Sequence, residues 1–264
     1  MRADSSIRTL LAVGGLDPSG GAGVLVDGCA ARSLGLHAAA VVALVTVQDG
    51  RTFRAAQPVD PELVRRGMES VIVSQDVGAI KTGALGAAVI VEVIAELAAS
   101  DAFPPLVVDP VIGSTSGGEL LDAAGLGLLR DELMPAATVI TPNALEATAL
   151  SEVDVCDAES AVRAAERLLE MGARAVLVKG GHLPGVSVTD VLLRAGETTI
   201  SIESPRLAQT DVRGTGCALA SLVAGYLALG SGLVEAVENA RSGLQQAMQQ
   251  ARSVGLGPPV LWFD

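Results

Sequence analysis

Toward its carboxyl end the chain reads Val212-Arg213-Gly214-Thr215-Gly216-Cys217, and residues 214–234 carry no charge. A glycine turn that opens a helix presents free backbone N–H groups and the positive end of the helix dipole, a ready place for an anion. Cys217 falls in the first turn of the expected helix. There the dipole and Arg213 should lower the thiol's pKa and suit it to take a proton from a substrate hydroxyl. Free cysteine is also commonly a small buried hydrophobe, so residue type alone leaves a structural role open.

A second glycine turn, Gly15-Leu16-Asp17-Pro18-Ser19-Gly20-Gly21-Ala22-Gly23, could hold an anion at residues 20–23 or serve plain packing. Of 18 Lys plus Arg only two are lysines, and each stands at a glycine-containing turn, Lys81-Thr82-Gly83 and Lys179-Gly180-Gly181-His182. Asp109 and Glu146 offer hard oxygens that could hold Mg²⁺ through water, and Lys179 suits phosphate oxygens. Residues 214–216 suit the charge that develops on a transferred phosphoryl group. Together these parts point to phosphoryl transfer. Other chemistries lack their parts. There is no Gly-Lys-Ser/Thr of a Walker A loop, no strict G-x-G-x-x-G in the first turn, no Gly-x-Ser-x-Gly elbow and no Ser-x-x-Lys before either lysine. With only His37 and His182 to serve a triad, serine hydrolysis is not expected.

Gathering these groups requires strands that end together. The residue pattern predicts strands over 8–14, 37–47, 77–82, 105–109, 138–141 and 175–179, and helices over 21–34, 61–74, 87–99, 123–133 and 159–171. Asp60-Pro61-Glu62 is a strong helix start, with a capping carboxylate and a proline in the first turn. Continuously apolar runs such as Leu106-Val107-Val108 suit a parallel sheet covered on both faces. After Lys179 the rhythm changes to a hairpin over 188–194 and 198–204, which adds an antiparallel edge, and helices over 214–228 and 232–254 finish the chain. Ligands of an open α/β sheet sit outside the carboxyl ends of its strands, and all the motifs fall at that edge. With no linker or repeat in view, one domain over residues 1–264 is expected.

Composition narrows the partners. Half the residues are hydrophobic and 18% are charged, enough for a full core. A net charge of −12 argues against sequence-independent nucleic-acid binding, which is built from lysines and arginines. The uncharged 214–234 run is long enough to span a bilayer, but its glycines and its Thr215, Ser221 and Ser231 favour a buried helix, so no membrane is expected. Cys29, Cys156 and Cys217 form no C-x-x-C pair and suggest neither a disulfide framework nor a zinc site. The first residues reach Asp17 too soon for a secretory signal, so a cytoplasmic setting is expected.

In order along the chain stand Gly15–Gly23, Thr46-Val47-Gln48-Asp49, Lys81-Thr82-Gly83, Val107-Val108-Asp109-Pro110-Val111, Thr141-Pro142-Asn143-Ala144-Leu145-Glu146-Ala147, Val178–His182 and Gly214-Thr215-Gly216-Cys217. This series resembles the hydroxymethylpyrimidine/phosphomethylpyrimidine kinases of thiamine biosynthesis, members of the ribokinase-like superfamily, over essentially the whole chain. The resemblance implies an α/β protein with a three-layer α/β/α ribokinase-like fold, a mostly parallel central sheet and an antiparallel edge hairpin. It implies an enzyme that uses ATP and Mg²⁺ to phosphorylate 4-amino-5-hydroxymethyl-2-methylpyrimidine and then its monophosphate, and a homodimer.

By motif position, the resemblance makes Gln48 the pyrimidine-binding glutamine. Its amide offers a donor and an acceptor side by side. Gly15, Asp17 and position 84 belong to the acceptor side. Asn143 and Glu146 match an Asn-x-x-Glu associated with Mg²⁺ and phosphates, with Asp109 beside Glu146 as a metal carboxylate. The residues themselves suit Lys179, Thr215 and Arg213 to ATP phosphates; the resemblance gives Gly214, Thr215 and Gly216 to the anion hole and Cys217 to the catalytic base, where sugar-kinase relatives carry aspartate. Two positions depart from the pattern. Ala84 stands where methionine is usual, which implies a roomier acceptor pocket. Arg213 stands where histidine is frequent, and could add charge near the phosphates or point to solvent. The alternatives are a pyridoxal kinase of the same superfamily and a catalytically silent protein that binds a thiamine precursor.

Overall fold

A computed structural model describes residues 7–114, 117–181, 183, 185–208 and 211–263; His182, in the Lys-Gly-Gly-His stretch, lies outside them. Among the described residues nine strands form one sheet: β1 (Thr9–Leu16), β2 (His37–Gln48), β3 (Phe53–Pro58), β4 (Val77–Thr82), β5 (Leu106–Val108), β6 (Val139–Ile140), β7 (Ala175–Val178), β8 (Ser187–Arg194) and β9 (Ile200–Pro205). Their order is β3-β2-β1-β4-β5-β6-β7-β8-β9. From β2 to β7 neighbours run parallel, while β8 and β9 add the expected antiparallel hairpin. The opposite edge is antiparallel too, through β3 on β2.

The helices are α1 (Gly23–Ser33), α2 (Pro61–Ser74), α3 (Ala88–Ala98), α4 (Ala123–Leu128), α5 (Met134–Ala136), α6 (Ala144–Ser151), α7 (Ala158–Glu170), α8 (Thr215–Ala228) and α9 (Leu233–Gln249). Strand residues alternate between two cores. Leu10, Ala79, Val107 and Leu177 point to a face covered by α1, α8 and α9. Leu11, Ile80, Leu106, Val108 and Val176 point to the face covered by α2, α3, α4, α6 and α7. The result is three layers, α/β/α, and the apolar strands are continuous in sequence because both sides are buried.

The helix expected over 123–133 instead passes from α4 through a π turn (Leu129–Leu133) into α5, where Pro135 has no N–H to continue an α ladder. The last helix stops at Gln249, and the tail folds back as bridges from Arg252 and Arg213 to Val260. No described helix is long and apolar enough to cross a membrane. Asp60 caps α2 as read from sequence, accepting from the N–H groups of Glu62 and Leu63.

The fold sets where α8 begins. Gly78 on β4 lies against the last turn of α8, so that a Cβ there would come within 2.9 Å of the Ala228 Cβ and carbonyl oxygen. Backbone cannot step aside as a flexible side chain can. Gly78→Ala is therefore expected to lower unfolding free energy by about 1–3 kcal/mol, read from the denaturant midpoint.

Candidate active site

Five charged side chains from five elements meet at the carboxyl edge of the parallel strands. Lys81, at the end of β4, places Nζ 2.9 and 3.0 Å from the two carboxylate oxygens of Asp27 on α1. Ser221 Oγ of α8 donates to the same carboxylate at 2.8 Å. Lys81 Nζ also lies 4.0 Å from Asp109, which follows β5. Asp109 in turn accepts from Lys179 Nζ at 2.6 Å, and Lys179, which follows β7, stands 3.8 Å from Glu146 on α6. All five side chains are buried.

Glu146 is aimed by its helix start. Asn143 Oδ1 accepts from the Glu146 N–H at 2.9 Å, and the Asn143 N–H donates to Glu146 Oε2 at 2.7 Å, a reciprocal capping box. The Asn-x-x-Glu pair thus spends its near ends on each other and turns one carboxylate toward Lys179. The sequence reading assigned no helix here, although Asn-x-x-Glu before an apolar run is itself a helix-start signature.

The amino end of α8 closes the other side. Gly214 takes φ +77°, and a Cβ there would lie 2.4 Å from the Gly21 carbonyl oxygen, so the turn needs glycine. Gly23 at φ +65° is tighter still, with a Cβ falling 2.1 Å from the Gly15 carbonyl oxygen. Gly216 brings α8 against Lys179, whose Nζ is 3.4 Å from where a Cβ would sit. Cys217 follows, close enough to the Gly23 N–H and to Asp109 for each to act on its titration. Residues 214–217, Lys179, Asp109 and Glu146 therefore share one place; Thr215 is the first residue of α8.

A second group forms beside it. Gln48 ends β2, with Nε2 donating to Thr46 Oγ1 at 3.0 Å, and Thr46 Oγ1 donating to the Leu16 carbonyl at 2.9 Å. Gly15 and Ala84 adjoin, since a Cβ on Gly15 would sit 3.4 Å from the Ala84 Cβ. Asp17 is buried with both oxygens engaged, Oδ1 by the Ser19 N–H and hydroxyl and Oδ2 by Arg213 at 2.8 Å. Arg213 does not point to solvent: it is 8% exposed, and it also donates to the Gly50 carbonyl at 2.7 Å. Its charge is spent on Asp17, away from the role beside phosphates that its sequence position suggested.

Comparison with known proteins fits this arrangement. The model of a family described as phosphomethylpyrimidine kinase matches residues 17–260. The chain belongs to that family. It is 41% identical to a hydroxymethylpyrimidine/phosphomethylpyrimidine kinase of Streptomyces coelicolor over 249 residues, 94% of this chain and 91% of that one. It is 37% identical to the chloroplastic thiamine biosynthetic bifunctional enzyme of Arabidopsis thaliana over 97% of this chain, and spans about half, 50%, of that longer protein. Among solved structures, the ADP complex of Bacillus subtilis pyridoxal kinase superposes with a TM-score of 0.89 at 26% identity, covering 98% of both chains.

Electrostatics decide what each group of this family member can do. Burial works against the charge on Asp109, but Lys179 and Lys81 outweigh it and hold its carboxyl below the usual range. Burial likewise opposes both lysines, and their carboxylate partners more than compensate, so both stay protonated. Glu146 goes the other way. Its burial, with Asp109 adding to it and Lys179 only partly offsetting it, pushes the carboxyl up to about 7.

Cys217 departs from the sequence expectation. Burial pushes its thiol up to about 12; Lys81 and the Gly23 N–H pull the other way, but Asp109 and Asp27 add to the rise. The helix end and Arg213 were expected to lower it. Burial, which no local stretch reveals, reverses the sign, and Asp109 and Asp27 add to it. Asp27 and Ser221 were missed as well. The signal available was a lone carboxylate in an otherwise apolar helix start, Gly23-Val24-Leu25-Val26-Asp27.

Glu146→Gln can keep the capping box while removing the titration. Because the folded pKa is raised from 4.5 to about 7, the folded protein binds more protons than the unfolded chain in that window. Stability should then fall with rising pH there. Denaturation midpoints across the window should show the wild type losing ground to Glu146→Gln as pH rises. Iodoacetamide near neutral pH should label exposed Cys29 and Cys156 well before Cys217, as peptide mass spectrometry would report.

Proposed function

We propose that this chain transfers the γ-phosphoryl group of ATP to the hydroxymethyl group of 4-amino-5-hydroxymethyl-2-methylpyrimidine, and then phosphorylates the monophosphate to the diphosphate in thiamine biosynthesis. Family membership supports the reaction class. The observation that carries the reading is the meeting of Cys217 and the glycine turn at the amino end of α8, both half-buried, with buried Lys179 and Asp109 in one place. Phosphoryl transfer asks the protein mainly for positioning and for stabilisation of spread negative charge. The N–H groups of residues 214–217 and the ammonium of Lys179 suit that charge.

The donor set also suits Mg²⁺. Asp109 and Glu146 are hard oxygen donors flanking Lys179, and with Asp27 they make three carboxylates against two ammonium groups. Bound there, the ion would neutralise charge on the phosphate oxygens. The protein's own proton traffic runs through Cys217. At neutral pH the sulfur keeps its hydrogen. As phosphorus parts from the ADP oxygen and bonds to the acceptor oxygen, the acceptor's proton passes to Sγ, and the Sγ hydrogen moves on to a neighbouring carboxylate, Asp27 or Asp109. A loose transition state tolerates such a late transfer. The reading places the enzyme in the cytoplasm as a homodimer.

Pyridoxal is the second reading. It is favoured by the close superposition on a pyridoxal kinase and by the small Ala84 beside Gly15, where a bulkier ring substituent has room. ADP release measured with Mg-ATP and each alcohol separates the two, turnover of the pyrimidine and not of pyridoxal being the expected outcome. Cys217→Ala should lower kcat by about 10²-fold or more with the ATP KM nearly unchanged. Unaltered turnover would return Cys217 to a packing role.

A further inference from the structure

Arg213 joins three segments that are far apart in sequence. Its own backbone N–H donates to the Pro259 carbonyl at 2.9 Å, holding the residue to the tail. The guanidinium reaches Asp17 of the β1–α1 turn at 2.8 Å and the Gly50 carbonyl of the β2–β3 turn at 2.7 Å. The same terminal nitrogen comes within 3.5 Å of Gln48 Oε1, long for a hydrogen bond but from a full charge. Nε is buried without a hydrogen-bond partner, and a Cβ on Gly21 would approach it to 2.8 Å. A buried donor left unpaired is costly, so the arginine is held where it is by its forked end and by the backbone crowding its stem.

Gln48 is thereby gripped at both ends of its amide, oxygen toward Arg213 and nitrogen toward Thr46 Oγ1. Rotating the amide by half a turn would put its NH₂ against the guanidinium and its oxygen against Thr46, whose hydroxyl hydrogen is already given to Leu16. Only one orientation satisfies both neighbours. We infer that Arg213 is a positioning residue for acceptor choice: it fixes the sense of the Gln48 amide and so selects a ring edge that carries a donor beside an acceptor. The inference rests on the pyrimidine reading above and adds to it the group that sets specificity. Arginine suits this because one planar fork can serve a carboxylate, a carbonyl and an amide oxygen together. An ammonium is a single point and cannot span them.

Arg213→Lys is the test, since it keeps a positive charge for buried Asp17. Calorimetry should show the aminopyrimidine alcohol binding about tenfold or more weaker to Arg213→Lys than to wild type, with ADP affinity unchanged, the scale of a lost hydrogen-bond contact in a selective site. In turnover, acceptor KM should rise by the same factor and kcat should change by less than about threefold, while pyridoxal turnover is unaffected, so that discrimination falls. A role confined to holding the fold would lower the unfolding midpoint and would weaken both acceptors, or neither. Should the lysine variant not fold, Thr46→Val, which releases the nitrogen end of the amide, must show the same selective loss. Equal pyrimidine binding by the wild type and a folded variant overturns the role of Arg213 alone. If the wild type binds no pyrimidine alcohol at all, the functional reading falls and this inference with it.

Discussion

The site rests on the mutual neutralisation of charges from which water has been removed. Asp27, Lys81, Asp109, Lys179 and Glu146 alternate in sign, each within 4.0 Å of the next. Losing one partner of a buried pair typically costs about 3–5 kcal/mol, against about 0–1 for a surface pair such as Arg163 with Glu159. The buried series therefore dominates the electrostatic part of stability, and the fold must deliver its members in register. It does so with strand ends for the lysines and Asp109 and with helix starts for Asp27 and Glu146. The series is also one positive charge short. Three carboxylates face two ammonium groups, and Glu146, at the end of the row, is pushed up to about 7 by its burial, with Asp109 adding to the rise.

The two glycine turns are the mechanical counterpart of that series. Each passes so near the other's backbone or its own strand that no side chain fits, at Gly214 against Gly21 and at Gly23 against Gly15. Those close approaches bring the first turns of α1 and α8 together, with the Gly23 N–H near enough to Cys217 to act on its titration. Arg213, one residue before the second turn, carries the same rigidity across to Asp17 and Gly50. The anion side and the acceptor side are thus parts of one locked edge. A shift in either would be felt by the other.

Much of this was legible in the sequence where one physical signal is local and undiluted. Asp60-Pro61 marked the start of α2 because cap and proline act on adjacent residues. The parallel strands were legible because burial on both faces leaves them apolar throughout. Strand β3, Phe-Arg-Ala-Ala-Gln-Pro, was not, because as an edge strand it is half exposed and carries no apolar run. Helix α6 was overlooked because Asn143 and Glu146 were weighed only as ligands, when the same spacing also makes a cap. The glycine turns, Lys179, Asp109, Glu146 and Cys217 could be singled out by type and position. Their partners could not: the Arg213 contact with Asp17 spans 196 residues, and the Lys81 contact with Asp27 spans 54. The error over Cys217 has the same root. A helix end is visible in sequence, whereas burial by elements from elsewhere in the chain is not, and burial outweighed the helix end.

That charge balance also bears on why a thiol stands at position 217. A carboxylate there would sit against Asp109 and near Asp27, adding a further negative charge to a set already short of positive ones. Either its own proton or that of a neighbour would have to be retained, since like charges so close cannot all ionise. A thiol avoids the conflict, because it is neutral at rest beside Asp109 and Asp27. Its high pKa is then no defect in a proton carrier. If its own hydrogen passes on to a neighbouring carboxylate as it accepts the new proton, the sulfur never has to hold a charge of its own in a half-buried place.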